Sequence, residues 1–162
     1  MLRLQKMKTF NAATLFLFVL LSAKAFCQGQ ETKKFEKEKG KLSFPACTIY
    51  GVNNYKKAGL KKIDIPFKNI TFITDSAAEV RSVHAGRVYK IFSLDKEYGL
   101  VEKYGDYYIT YYPLAKPKLK KGDSIAQGQP IGKISSEESP KEINILMSKT
   151  TNFIDPYQWF KW

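Results

Sequence analysis

The sequence predicts an all-β fold, on three observations. From Val80 to Ile134, apolar and polar residues mostly alternate in short runs, the pattern of half-buried strands. Gly86, Gly105, Gly122, Gly128 and Gly132 punctuate those runs. After residue 27, no stretch carries apolar residues at a sustained helical spacing.

The chain opens on a different pattern. Met1 to Asn11 holds Arg3, Lys6 and Lys8 and no acid, and Ala12 to Leu21 is apolar apart from Thr14. The apolar run is too short to span a bilayer. Small residues follow at Ser22, Ala23 and Ala25. Residues 1–27 therefore read as a secretory signal peptide, outside the fold argument. Cleavage fits best after Ala23-Lys24-Ala25, and less well after Ala25-Phe26-Cys27. Phe26 argues against lipid attachment at Cys27, which needs a small residue before it. Cys27 and Cys47 are the only cysteines. Either they pair in an oxidising compartment, or Cys47 is a lone thiol; neither supports a cysteine metal site.

Residues 28–41 are dense in Lys and Glu, with Phe35 the one large apolar side chain. They read as an exposed charged leader, at most a frayed helical turn. Residues 42–162 form the single domain. Leu42-Ser43-Phe44-Pro45 enters it, and Tyr50 to Lys62, with Gly51, Asn53-Asn54 and Gly59, is a loop or broken hairpin. Ile63 to Ile73 alternates in part, and Asp75 to Glu79 turns into the first central strand. Leu100–Tyr104 and Tyr107–Tyr112 flank a two-residue Gly105-Asp106 turn, where glycine supplies the positive φ a hairpin needs. Tyr107, Ile109 and Tyr111 share one face of the outgoing strand, and Tyr108, Thr110 and Tyr112 the other. One of these faces packs the sheets together; either Tyr108, Thr110 and Tyr112 or Tyr107, Ile109 and Tyr111 could line a groove, with Tyr108, Thr110 and Tyr112 the named candidate. Ser135 to Lys141 is a polar loop, Glu142 to Met147 a strand, and Ile154 to Trp162 an aromatic close.

Charge narrows the partners. The signal holds four of the 27 basic residues and none of the 15 acidic ones, so its removal lowers the net charge from +12 to +8. A basic cytoplasmic chain would suggest nucleic acid. Export argues against that and favours acidic envelope polymers or lipid head groups, beside the plain reading of a solvated Lys-rich surface.

Three segments then carry a family resemblance. Val80 to Gly86, Tyr111-Tyr112-Pro113-Leu114, and Lys121-Gly122-Asp123-x-x-x-x-Gly128-Gln129-x-Ile131-Gly132 occur in the order and spacing of the LytM/lysostaphin-type zinc peptidases. Phe44-Pro45 and Ile154-Asp155-Pro156 resemble the segments that open and close that domain. The resemblance implies the duplicated hybrid motif, a barrel-sandwich-like β-sheet core. In that family zinc is held by a His-x-Gly-x-Asp segment and the second His of a His-x-His segment, and the enzymes cut cell-wall peptidoglycan. Carried across, the first segment falls on Phe67, Asn69 and Thr71, the His-x-His positions on Glu142 and Asn144, and a central-strand His on Pro113. Phe and Pro offer no ligand atom, Thr and Asn only weak neutral oxygens, and Glu142 alone is a good ligand. His84 is the only histidine and falls beside the turn glycine, away from those positions.

The resemblance thus implies a degenerate, non-catalytic member: exported, periplasmic or secreted, with no metal or other cofactor. Its partners would be peptidoglycan or a cell-wall hydrolase that it regulates, with no nucleic acid and no membrane span after signal removal. Two other readings compete: an active metalloendopeptidase with an atypical site, and a structural adaptor like the biotinyl or lipoyl carrier domains. Gly86-Arg87 lacks the modifiable lysine a carrier turn requires.

Overall fold

The structure, a computed structural model, describes residues 28–46, 48–49, 51–54, 69–74, 78–135 and 140–162. The expected signal peptide, Cys27, Cys47 and Phe67 lie outside them. So do most of the Tyr50–Lys62 loop and the first half of the Ile63–Ile73 run.

A helix, α1, covers residues 28–36. The strands are β1 (Gly51–Asn54), β2 (Asn69–Thr74), β3 (Glu79–Arg81), β4 (Gly86–Leu94) and β5 (Glu97–Tyr104). They continue with β6 (Tyr107–Leu114), β7 (Ser124–Ile125), β8 (Pro130–Lys133), β9 (Lys141–Lys149) and β10 (Asn152–Ile154). A 3-10 turn, Pro156–Trp159, follows, capped by the Asp155 carboxylate accepting from Tyr157 N–H at 3.1 Å. The fold is all-β in class. An antiparallel sheet runs β1-β2-β9-β6-β5-β4-β7, with β10 also on β9, and a small β3-β8 sheet lies apart from it.

Alternation decides which face is covered. On β6, Tyr107, Ile109 and Tyr111 are buried, whereas Tyr108, Thr110 and Tyr112 are half-buried. On β9, Ile143, Ile145 and Met147 are buried between half-exposed neighbours. The core joins this face to Val80, Val83 and Ile131 around the small sheet, and to Phe35, Leu42, Trp159 and Phe160. The Gly105-Asp106 hairpin forms as expected. Gly105 takes φ +50° and Asp106 has no positive φ, the II′ pattern.

The leader reading is corrected in one respect. Thr32 and Phe35 are buried, so residues 28–36 are not an exposed arm. The Phe35 ring stacks on Tyr104 at 4.9 Å and on Trp159 at 4.8 Å. Thr32 Oγ1 accepts from Asp106 N–H at 3.0 Å, and Gln28 Nε2 donates to Asp106 Oδ1 at 2.7 Å. Lys149 joins Glu36 at 2.6 Å. A helix with so few apolar residues is stable because tertiary contacts, not its own periodicity, hold it. Gly86 also differs from expectation: it starts β4, and the turn is made by Ser82 to Ala85.

Candidate functional site

The uncovered face of the large sheet is built in rows, because antiparallel register sets residues side by side across strands. One row is Asn53, Thr71, Asn144 and Tyr112, on β1, β2, β9 and β6. A second is Asn69, Leu146, Thr110, Val101 and Lys90. A third is Ser148, Tyr108, Lys103, Arg87 and Ser124.

The first row gathers residues that the sequence places 73 positions apart. Asn144 Oδ1 accepts from Thr71 Oγ1 at 2.6 Å and from Asn69 Nδ2 at 3.0 Å. Thr71 is buried and Asn144 half-buried. Tyr112 stands next to Asn144 and donates to the Glu97 carboxylate, a bond that pushes the phenol up to about 12. The Phe92 ring is nearly parallel to Tyr112 at 6.5 Å. It covers Gly99, where an added Cβ would lie 2.1 Å from the ring. Pro113 is buried at the end of β6, after a cis peptide bond, and Glu142 is exposed opposite Ile73. Thus Thr71, Asn144, Asn69 and Tyr112 come together. Glu142 and Pro113 flank them, and Phe67 lies outside the described residues. The alternation placed Tyr108, Thr110 and Tyr112 on one face of β6, and the structure makes that face the uncovered one.

This cluster does not suit zinc. A catalytic zinc site needs about three imidazole, thiolate or carboxylate ligands with an open position. Here the oxygens nearest one another are an amide and a hydroxyl already bonded to each other, and neutral oxygens are poor zinc ligands. Among the described residues, no group of three His, Cys, Asp or Glu side chains converges.

A second polar group lies on the covered face, and sequence reasoning missed it. Glu102 is fully buried on β5. Ser82 Oγ lies 2.7 and 2.9 Å from its two oxygens, and Tyr111 Oη donates to it at 2.9 Å. Tyr111 Oη in turn accepts Val83 N–H at 3.0 Å. Burial pushes the Glu102 carboxyl up to about 7, and burial likewise raises Tyr104 and Tyr111. The only trace in the sequence is a charged residue at an inward position of the alternating run. His84 adds no general base to this group. Its ring Nδ1 faces Ala85 O at 2.9 Å, and the ring stands edge-on to Phe35 and Tyr104. Ser82 meets the His84 backbone, not its imidazole, so no Ser–His pair forms.

Solved structures of low identity share the fold. Helicobacter pylori Csd3 is 17% identical with a TM-score of 0.57, over 75% of this chain and 35% of that one. A zinc-containing peptidase from Vibrio cholerae is 20% identical with a TM-score of 0.55, over 72% of this chain and 39% of that one. The catalytic domain of the prophage-encoded M23 protein EnpA from Enterococcus faecalis, in a mutant form, is 18% identical with a TM-score of 0.53, over 72% and 91%. The chain spans little more than a third of the length of Csd3. No curated protein sequence matches it. A profile of peptidase family M23 matches residues 66–156, more than half of the sequence, and the chain belongs to that family.

Proposed function

We propose that this protein is an exported, non-catalytic member of family M23 that binds peptidoglycan through its open sheet face and in that way serves or regulates a cell-wall hydrolase. One observation carries the reading. At the positions that the family resemblance assigns to a zinc-binding Asp and His, Thr71 and Asn144 offer only hydroxyl and amide oxygens bonded to each other, with Asn69 completing the Asn144 acceptor. Phe67 at the remaining ligand position has no ligand atom. Without a metal, an attacking water keeps a pKa near 15.7 rather than about 7, and little hydroxide is available at neutral pH. The open face keeps polar and aromatic side chains that suit a glycopeptide, which supports binding in place of cleavage.

The test is to incubate the purified exported protein with zinc and cell-wall sacculi, then measure metal content, released muropeptides and protein retained on the sacculi. The expected result is retention with no stoichiometric zinc and no muropeptide release. Asn144→His alone should leave that result unchanged, because one imidazole does not complete a site. Stoichiometric zinc with chelator-sensitive cleavage would overturn the reading in favour of an active peptidase.

A further inference from the structure

The third row of the open face breaks a rule of sheet design. Arg87 and Lys103 are direct partners across β4 and β5, on the same face. Like charges placed directly opposite destabilise a strand pair. Neither forms an ion pair with a described carboxylate. The Arg87 guanidinium donates to a neutral carbonyl, Gly122 O at 3.2 Å, and Lys103 Nζ lies 5.6 Å from the centre of the Tyr108 ring. A bulge after Val88 returns Lys90, opposite Val101, to this same face. Lys90 has no ion-pair partner among the described residues either.

Aromatic groups complete the place. Tyr89 is exposed and stands edge-on to Tyr108 at 5.0 Å. Arg87, Tyr89 and Lys103 also border a cleft of about 600 Å³ beside α1, which Glu31 and Lys34 line as well. The face is therefore polarised. Glu97 and Glu142 lie toward the Asn144 end, and three unneutralised cations lie toward the hairpin end. From Tyr112 to Tyr108 the distance along β6 is about 13 Å at ~3.3 Å per residue.

We infer that Arg87, Lys90 and Lys103 form a carboxylate-binding subsite, with Tyr89 and Tyr108 as its wall, for an acidic cell-wall peptide laid along the open face. The inference rests on the cell-wall reading above and adds to it the chemical group that is recognised and the residues that recognise it. Peptide carboxylates supply the missing counter-charge and bond to a guanidinium in a paired geometry. The carboxyl-bearing residue would sit at the hairpin end, with the rest of the ligand crossing Thr110 toward Asn144 and Tyr112.

Two measurements separate the subsite from the reading beneath it. In the first, amide shifts of the ¹⁵N-labelled exported protein are followed with tetraglutamate and with tetraglutamine. Tetraglutamate should perturb Arg87, Lys90 and Lys103, and the response should vanish in an R87Q/K103M double variant. Equal responses to both peptides, or a response that survives in the variant, would overturn the subsite. In the second, retention is measured on native sacculi and on sacculi whose carboxyls have been amidated. The double variant should bind native sacculi about tenfold more weakly, and amidation should weaken the unaltered protein by a similar factor. Tetraglutamate binding without any sacculus binding would remove the cell-wall reading and leave the subsite. Sacculus binding indifferent to amidation and to the variant would do the reverse. Relief of the like-charge pair predicts a thermal midpoint for the double variant equal to or above that of the unaltered protein. A clearly lower midpoint would contradict the premise. K90Q, away from that pair, gives an independent reading of the same loss.

Discussion

Among single residues, Glu102 links stability to pH in the range between about 4 and 8. Its folded-state pKa is raised to about 7 from 4.5, so the folded chain holds this proton where the unfolded chain has released it. The contribution to stability is therefore full below about pH 4.5. It falls as pH rises toward 7 and is flat above that, a loss of about 3 kcal/mol at ~1.36 kcal/mol per unit. Glu36 runs the other way. Hydrogen bonds from Lys149 and then Tyr107 lower its pKa, so it stabilises at higher pH and that support is lost on acidification. The difference between the unaltered protein and Glu102→Gln isolates the buried group. Urea midpoints from pH 4 to 8 should show the variant gaining on the unaltered protein as pH rises; parallel curves would refute the assignment. Little of this was readable beforehand: Glu102 alternates with Leu100 and Tyr104, but that parity alone does not show that the carboxyl is buried. Only the register that buries Tyr111 and Tyr104 beside it reveals the inward position.

Among elements, the β5–β6 hairpin and α1 form one unit. The hairpin was evident in the sequence because Gly105-Asp106 is a local signal between two alternating runs. The helix was not, because Phe35 is a single apolar residue among lysines and glutamates, and its partners Tyr104 and Trp159 are remote in sequence. The turn glycine serves both elements. A Cβ on Gly105 would lie 2.3 Å from Thr32 Oγ1 and 2.7 Å from Thr32 N, at a positive φ. A Cβ on Gly122, at φ +95°, meets nothing within 4 Å. Gly105→Ala should therefore cost about 3 kcal/mol, overpacking added to backbone strain, and Gly122→Ala about 1 kcal/mol from strain alone. Chemical denaturation of the two variants checks the contrast, and equal losses would mean that α1 does not bear on the turn.

Across the whole molecule, one face of the large sheet is committed to the core and the other is left open. The period-two pattern of Tyr107 to Tyr112 separated the two faces but did not say which of them is covered. The Thr71–Asn144 contact followed only from counting positions against a family pattern. The row of Arg87, Lys103 and Tyr108 did not emerge, since cross-strand register joins residues that no local spacing relates. A side chain on the open face should matter more for capture than for folding. Tyr112→Ala is expected to weaken retention on sacculi severalfold and to change the thermal midpoint little, because among the described residues the phenol hydrogen-bonds to Glu97 alone, at the periphery. Comparable losses in both measurements would place Tyr112 in the scaffold.

The stacking of Phe35 on Trp159 joins residues 124 positions apart, and Leu42 bridges alongside Phe160, its N–H donating to Trp159 O and its carbonyl accepting from Lys161 N–H, both at 3.0 Å. Contacts so remote along the chain slow folding, since a long loop must close before they form. They also set the order of events during synthesis. The aromatic clasp is completed only when Trp159 and Phe160 have been made, so the core beside α1 stays incomplete while the preceding residues emerge. A chain stopped at Ile154 should lack a cooperative unfolding transition. On the export route proposed above, a fold that cannot close early is an asset: the clasp works as a timer, keeping the polypeptide threadable until Trp159 and Phe160 arrive.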